Sequence, residues 1–337
     1  MPFGSISVDK IENSDGFTLG GSGASMKNRI INGGMVIDQR NAGASVTQGT
    51  SDTYSLDRFL GYGNITSKFT MQQSSTAPAG FVNSVVITSS AATVVGSSDQ
   101  YYFAQKIEGY NTADLGWGTA NAKTVTLSFW ARASVIGTYS VFLLNNGSAY
   151  SYIANYTISV ANTFEYKTIT IVAPTVGTWL TTNGLGIYLG WDLGSGSTYN
   201  QTAGSWQAAN KRATSGSTQL VATSGATLYL TGVQLEVGST ATSFDYRPFT
   251  TELQLAQRYY QFSTFGTTSY PSSGGYGRAY ASFPVIMRTA PTMTFTDLVS
   301  GGSSISTGSY TNGYVNTYGS LGASSAGTFS WVATSEL

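Results

Sequence analysis

The sequence predicts an all-β chain: an antiparallel jelly-roll β-sandwich with a short helix and a smaller C-terminal β domain. Three observations carry this. Between about 80 and 237, short segments alternate apolar and polar residues with a period of two, and helical periodicity is absent. Gly, Asn and Ser turns separate these segments, as hairpins in a sandwich require. One later segment, from Thr250 to Tyr260, carries a helical pattern. At 337 residues the chain exceeds one average domain, and two or three units are expected.

Residues 1–28 are polar and glycine-rich, with Ile6, Val8 and Ile11 as their short apolar alternation. They are too few to bury a core, which leaves a loose tail or an arm ordered by contact with a larger body. From Asn28, NRIINGGMVIDQRNAG reads as a short strand, a Gly-Gly turn and a second extended piece. The strand signals are then SVVITSS (84–90), YYFAQKIEG (101–109), VTLSFWARAS (125–134), YSVFLLN (139–145), YIANYTISV (152–160), FEYKTITIVA (164–173) and LGIYLGWDL (185–193). In the third, Val125, Leu127, Phe129 and Ala131 form the core phase against Thr126, Ser128, Trp130 and Arg132. Eight or so strands in two sheets suit a jelly roll over 29–249.

The segment Thr227–Pro248, TLYLTGVQLEVGSTATSFDYRP, closes the sandwich. Leu228 and Leu230 share one side. Past Gly232 the phase slips by one residue, and Val233, Leu235 and Val237 become the apolar side. An extra residue at a glycine shifts the alternation in this way, so a bulge is expected there. A Gly238-Ser239 turn follows, then an aromatic anchor of Phe244 and Tyr246.

The helix opens with Thr250 or Thr251 as cap and Glu252 in its first turn. At about three turns it is marginal alone and must pack on something. Leu253, Leu255, Ala256, Tyr259 and Tyr260 are the candidates for that contact, near an oligomer axis within a linking region 250–262. Residues 263–337 return to strand signals and long Ser, Gly, Tyr and Thr stretches, a second and smaller β domain.

Composition excludes several functions. Net charge is +0 and no Lys/Arg cluster occurs, which argues against a nucleic-acid partner. With no Cys and no His, disulfide scaffolds, thiolate zinc sites and the usual nucleophilic triads are out. No secretion signal is visible at MPFGSISVDK, and no apolar run is long enough to span a membrane, so a chain that is cytosolic when made and soluble is expected. Charged residues are 9% of the chain against about a quarter in soluble proteins generally. The acidic residues, among them Asp57, Asp99, Glu108, Asp114, Glu165, Asp192, Glu236 and Asp245, are scattered. No pair suggests glycoside hydrolysis, and turn and surface roles are expected for them. No catalytic residue, metal ligand or cofactor is assigned.

Aromatics are the informative class, with 6 Trp and 22 Tyr in a charge-poor chain. Rings stack on the apolar faces of sugars while neighbouring polar groups bond the hydroxyls. Phe129 and Trp191 fall on core phases. Trp117, Tyr199 and Trp206 lie in Gly/Asn-rich loops, and Tyr270, Tyr276, Tyr310, Tyr314 and Tyr318 form a denser set near the end. These eight are the glycan-contact candidates, the last five resembling Tyr/Ser/Gly-rich binding surfaces. Packing between identical chains is the other use such rings have.

Several phrases together resemble a group of bacteriophage fibre proteins: NRIINGGMVIDQRNAGASVT (28–47), STAPAGFVNSVVITSS (75–90), IEGYNTADLGWGTANAKTVTLSFWARAS (107–134), NTFEYKTITI (162–171), TGVQLEVGSTATSFDYRP (231–248) and ELQLAQRYYQ (252–261). They are collinear over about two thirds of the chain, with residues 1–27 and 265–337 matching less well. The resemblance implies a tail fibre or receptor-binding subunit of the virion, a homotrimer, whose central module is similar to a carbohydrate-binding jelly roll. It implies attachment to other tail proteins through residues 1–28, and a distal 263–337 domain touching bacterial cell-surface polysaccharide. The alternative is a structural virion protein, a tail adaptor or head fibre, that keeps the jelly roll for assembly alone. No catalytic residue comes with the resemblance.

Overall fold

The structure, a computed structural model, describes residues 26–266, 276–297, 302–310, 313–321 and 328–337, with two short strands nearer the start. Those two, β1 (Ile11–Glu12) and β2 (Thr18–Leu19), pair antiparallel. The sandwich follows: β3 (Val46–Thr47), β4 (Thr53–Leu56), β5 (Phe59–Gly63), β6 (Phe69–Ser74), β7 (Ser84–Ser89), β8 (Gln100–Glu108), β9 (Val125–Ala133) and β10 (Gly137–Leu144). It continues through β11 (Ser151–Ile158), β12 (Glu165–Ile171), β13 (Leu185–Ser195), β14 (Trp206–Gln207) and β15 (Thr227–Val237). One sheet has the order β14-β11-β10-β13-β8-β5-β4 and the other β12-β9-β15-β7-β6-β3, with every pairing antiparallel.

The inward phases of both sheets build one core. Leu127, Phe129, Trp191, Phe103 and Phe59 are fully enclosed. Phe129 meets Trp191 edge-on at 5.5 Å, and Phe59 stacks on Phe103 at 5.3 Å. Each such ring contributes roughly 1.5–3 kcal/mol by leaving water. The strands expected from alternation all form, each within a few residues of its expected bounds.

β15 carries the expected bulge. Its register against β9 shifts between Thr231 and Gln234, and Gly232 sits at φ +60°. Leu228, Leu230, Val233 and Leu235 are buried, whereas Val237, expected on the same side, is 42% exposed at the last position of the strand, where it still pairs with Val125. On its other edge β15 pairs with β7 only through Leu230. The edge beyond is taken by the segment at 28–33, which was expected to be a short strand. The Asn28 side chain adds there to main-chain bonds, one of them from the Arg29 N–H to the Leu235 carbonyl at 2.9 Å. Its Nδ2 donates to the Val233 carbonyl (2.9 Å), and its Oδ1 accepts from the Leu235 and Ile30 N–H groups (3.0 and 2.9 Å). Val233 N–H reaches the Gly33 carbonyl at 2.9 Å, and a Cβ on Gly33 would run into the Val233 carbonyl oxygen.

The helix α1 (Phe249–Gln257) starts at Pro248, whose carbonyl takes the Glu252 N–H at 3.1 Å. Neither Thr250 nor Thr251 caps it. Glu252 turns back instead to accept the Asn32 N–H and Arg247 Nη1. Tyr259 lies beyond the helix, and Tyr260 opens a strand, so the linking region 250–262 is shorter as a helix than expected.

The C-terminal part comprises β16 (Tyr260–Gly266), β17 (Tyr276–Ser282), β18 (Thr292–Asp297), β19 (Gly302–Tyr310), β20 (Tyr314–Leu321) and β21 (Thr328–Thr334). They form two three-stranded sheets, β16-β21-β18 and β17-β20-β19. Phe283, Met287, Trp331 and Ala333 make a small core. Ion pairs tie this part to the sandwich. Arg258 forks onto Glu108 (2.6 and 2.8 Å), Tyr259 Oη donates to the same carboxylate (2.6 Å), and Glu336 meets Arg40 (2.6 Å) and Arg58. Burial holds the Arg58 guanidinium below its usual range, and it lies 3.5 Å over the Tyr259 ring.

Candidate functional site

The face of the six-stranded sheet turned away from the core is open. Alternation sends Trp130 of β9 and Tyr166 of β12 to this face as a cross-strand pair, with ring centres 5.3 Å apart. Phe81, Phe244 and Tyr246 close on one another at 4.9–5.6 Å beside them. Gly232, the bulge glycine, joins the two groups. A Cβ there would lie 2.6 Å from Phe81 Cζ and 3.1 Å from Trp130 Cδ1, so both rings press on bare backbone. The result is a groove of about 780 Å³ open to solvent, walled by these five rings with Ser128, Thr242 and Ser243 between them.

Two of the rings are well exposed, Tyr166 at 44% and Tyr246 at 62%. Tyr246 Oη donates to the Gly80 carbonyl at 2.7 Å, and partial burial pushes its phenol up, keeping it neutral. None of the groove-lining residues carries a formal charge. Beneath Thr242, the Glu236 carboxylate accepts from Gln234 Nε2, from Thr242 N–H and from Thr242 Oγ1 (2.6–2.8 Å). Flat rings with interspersed hydroxyls can stack on a sugar ring and bond its hydroxyls.

None of the loop aromatics expected at the site, Trp117, Tyr199 and Trp206, lines this groove. Trp117 is a core residue at 7% exposure, although its loop is rich in Gly and Asn. Its indole N–H finds the Lys123 carbonyl (2.8 Å), and its ring meets Trp179 and Trp206 edge-on at 4.8 and 5.4 Å. Trp206 is half-buried in this cluster, donates to the Val172 carbonyl (2.7 Å) and lies parallel to Tyr150. The three indoles plug one end of the sandwich. Tyr199 is half-buried with its ring 5.2 Å from the Arg212 guanidinium. It borders a second groove, lined by Asn155, Asn200, Gln201, Thr202 and Thr214, that contains no aromatic ring.

Tyr270 lies outside the described residues. The backbones of Tyr276, Tyr310, Tyr314 and Tyr318 belong to β17, β19 and β20, and their side chains lie outside the description. Of the oligomerisation candidates, Ala256 and Tyr259 are fully buried against Ile31 and Ile37 of the same chain. Leu253 and Leu255 are half-buried on that cluster, and Tyr260 lies beneath Arg40 at 3.8 Å. The helix therefore spends its apolar side within its own chain. Surface roles also fail for Asp57, Glu108, Asp192 and Glu236, all at 3% exposure or less. Burial raises Asp192 to about 7, against a 2.5 Å hydrogen bond from Ser195 Oγ. Among the described residues no group of three or more acidic side chains could hold a metal ion.

The groove residues were within reach of the alternation. Trp130 stands on the polar phase of its strand, Tyr166 occupies the matching phase of β12, and Phe244 with Tyr246 forms the aromatic anchor. What the sequence lacked was the partner: Phe81 is about 160 positions from the anchor it packs against.

No protein-family model and no curated protein matches the chain. Among solved structures it is similar to the enzymatically active domain of tailspike protein 4 of bacteriophage CBA120, at 14% identity and TM-score 0.32 over 63% of this chain. The match spans 22% of that tailspike chain. It is also similar to the family 11 carbohydrate-binding module of a Clostridium thermocellum cellulosomal cellulase, at 10% identity and TM-score 0.30, covering 59% of this chain and 98% of the module. Similarity at this level carries no argument about function.

Proposed function

We propose that this chain is a bacteriophage tail-fibre subunit that binds polysaccharide on the host surface, and that the groove around Gly232 makes the contact. The observation that carries the binding reading is the open, uncharged wall of Trp130, Tyr166, Phe81, Phe244 and Tyr246. The collinear phrases from 28 to 261 that resemble fibre proteins support the virion reading. In this account residues 1–28 attach to the tail and the chain acts as a homotrimer. Several shallow sites per particle then raise a weak individual affinity by multivalency. No catalytic step is assigned.

The assembled protein applied to a glycan array tests the reading. Binding to host envelope glycans is expected, with a loss of about tenfold or more in Trp130→Ala, as for removal of a stacking ring. No glycan binding, together with normal adsorption by phage lacking the protein, would sink it. A role in virion assembly alone is the second reading, favoured by Phe249, which is 61% exposed just past the anchor segment. Under that reading Phe249→Ser blocks incorporation into particles, and Trp130→Ala leaves adsorption intact.

A further inference from the structure

We infer that the groove selects acidic polysaccharide and that Arg132 reads the acid. This rests on the groove being a glycan site.

Arg132 follows Trp130 by two residues on β9, so both side chains leave the same face of the sheet, about 7 Å apart along the strand. Arg132 is outside the groove's lining and borders it, on the side of Trp130 opposite Ser128. Its guanidinium lies 4.7 Å over the ring of Tyr229, its cross-strand neighbour, and 6.0 Å from Phe164. Its Nε donates to the Asn162 carbonyl at 2.8 Å. Asn162 adopts φ +57°, and its own N–H bonds the Ala133 carbonyl at 2.7 Å, so the turn is shaped to present that carbonyl to Arg132. These contacts set the plane of the fork and use only Nε.

Among the described residues nothing hydrogen-bonds Nη1 or Nη2 of Arg132, and no carboxylate lies within 4.0 Å. Arg29, Arg40, Arg58, Arg247 and Arg258 each meet a carboxylate, and Arg212 and Arg288, which meet none, spend Nη donors on Asn210 Oδ1 and on the Asn183 and Glu336 carbonyls. An oriented arginine with a free Nη pair beside an aromatic platform is a place for an anion from outside. Its free Nη pair suits a carboxylate or a phosphate in two-point geometry. A sugar stacked on Trp130 would carry its acidic substituent toward Arg132. The shared chemistry is an oxyanion on the glycan, a uronate carboxylate or a phosphodiester.

Three probes test this with the full-length chain: polygalacturonate, its methyl ester, and a poly(glycerol phosphate). The acid or the phosphate polymer should bind about tenfold or more tightly than the ester, an advantage that shrinks as salt is raised. Whichever of the two binds tighter identifies the source of the oxyanion. R132Q, checked for folding by circular dichroism, should lose that advantage and keep the affinity for the ester, while R132K keeps part of it. Equal binding of all three polymers by the native chain overturns the inference, as does an undiminished preference in R132Q. The glycan reading itself fails separately, when Trp130→Ala loses nothing on any glycan the native chain binds.

Discussion

Both sheets carry aromatic rings on the faces turned away from the core, and the two faces end differently. On the seven-stranded sheet, Tyr102, Phe142 and Tyr188 cluster edge-to-face at 5.4–5.9 Å over Gly190 and Ala104, and Tyr62 stacks on Tyr102. Those first three rings are at most 5% exposed. Arg212 lies over Tyr102 and Phe142, and Lys106, tied to Asp52 and the Leu337 carbonyl, lies near Tyr188. On the six-stranded sheet, Trp130 and Tyr166 have no such cover among the described residues. The same residue class on the same kind of face is structural where the chain folds back over it. It stays open to solvent where the described chain does not. Strand phase says which way a ring points, and only the path of later segments says whether water reaches it.

The largest test of this contrast is a pair of truncations. Phe142→Ala should cost about 3–5 kcal/mol in denaturant unfolding, the cost of a cavity in a closed core. Tyr166→Ala should cost under about 1 kcal/mol and weaken glycan binding instead. Similar losses from both would erase the distinction between the faces.

The covered face also holds an ionisable group away from water. Burial raises the folded-state pKa of Asp192 to about 7, against about 3.9 in an unfolded chain. Between those values the folded state binds more protons, so this group's stabilisation is complete below about pH 4 and is lost as pH rises to about 7. The loss is on the order of 4 kcal/mol at most. Melting curves of Asp192→Asn should lack this decline and show the variant ahead of the native chain at pH 8; parallel pH profiles for the two would refute the assignment.

At the open face Gly232→Ala places a Cβ into Phe81 and Trp130 at a positive φ, and about 1–3 kcal/mol of stability should go with it. Glycan affinity should fall as well, because the groove floor must shift. Tyr246→Phe removes only the hydrogen bond to the Gly80 carbonyl, about 1 kcal/mol, and should leave binding within a fewfold of native.

Much of the sandwich was legible because strand alternation is a local signal. The bulge at Gly232 is the sharpest case, since a one-residue slip in phase reported a register shift seen in the pairing with β9. Long-range repairs were not legible. Nothing local says that Asn28 completes the free edge of β15, or that Trp117 leaves its glycine-rich loop for an indole cluster. The buried carboxylates were hidden for the same reason: Glu108 looks like a strand-end residue until Arg258 and Tyr259 arrive 150 and 151 positions later. Trp130 and Tyr166 were passed over because loop composition was weighed above strand phase.

The Asn28 bridge has a consequence for how the molecule is made. Its partners Val233 and Leu235 lie 205 and 207 residues downstream, and Arg58 waits 278 residues for Glu336. A chain leaving the ribosome therefore presents Ile30 and Met35, both destined for the core, long before β15 arrives to complete it. Such non-local closure makes folding slow and leaves apolar segments uncovered in the meantime. Release of a finished chain, and not the emergence of any one segment, starts the clock on the native state.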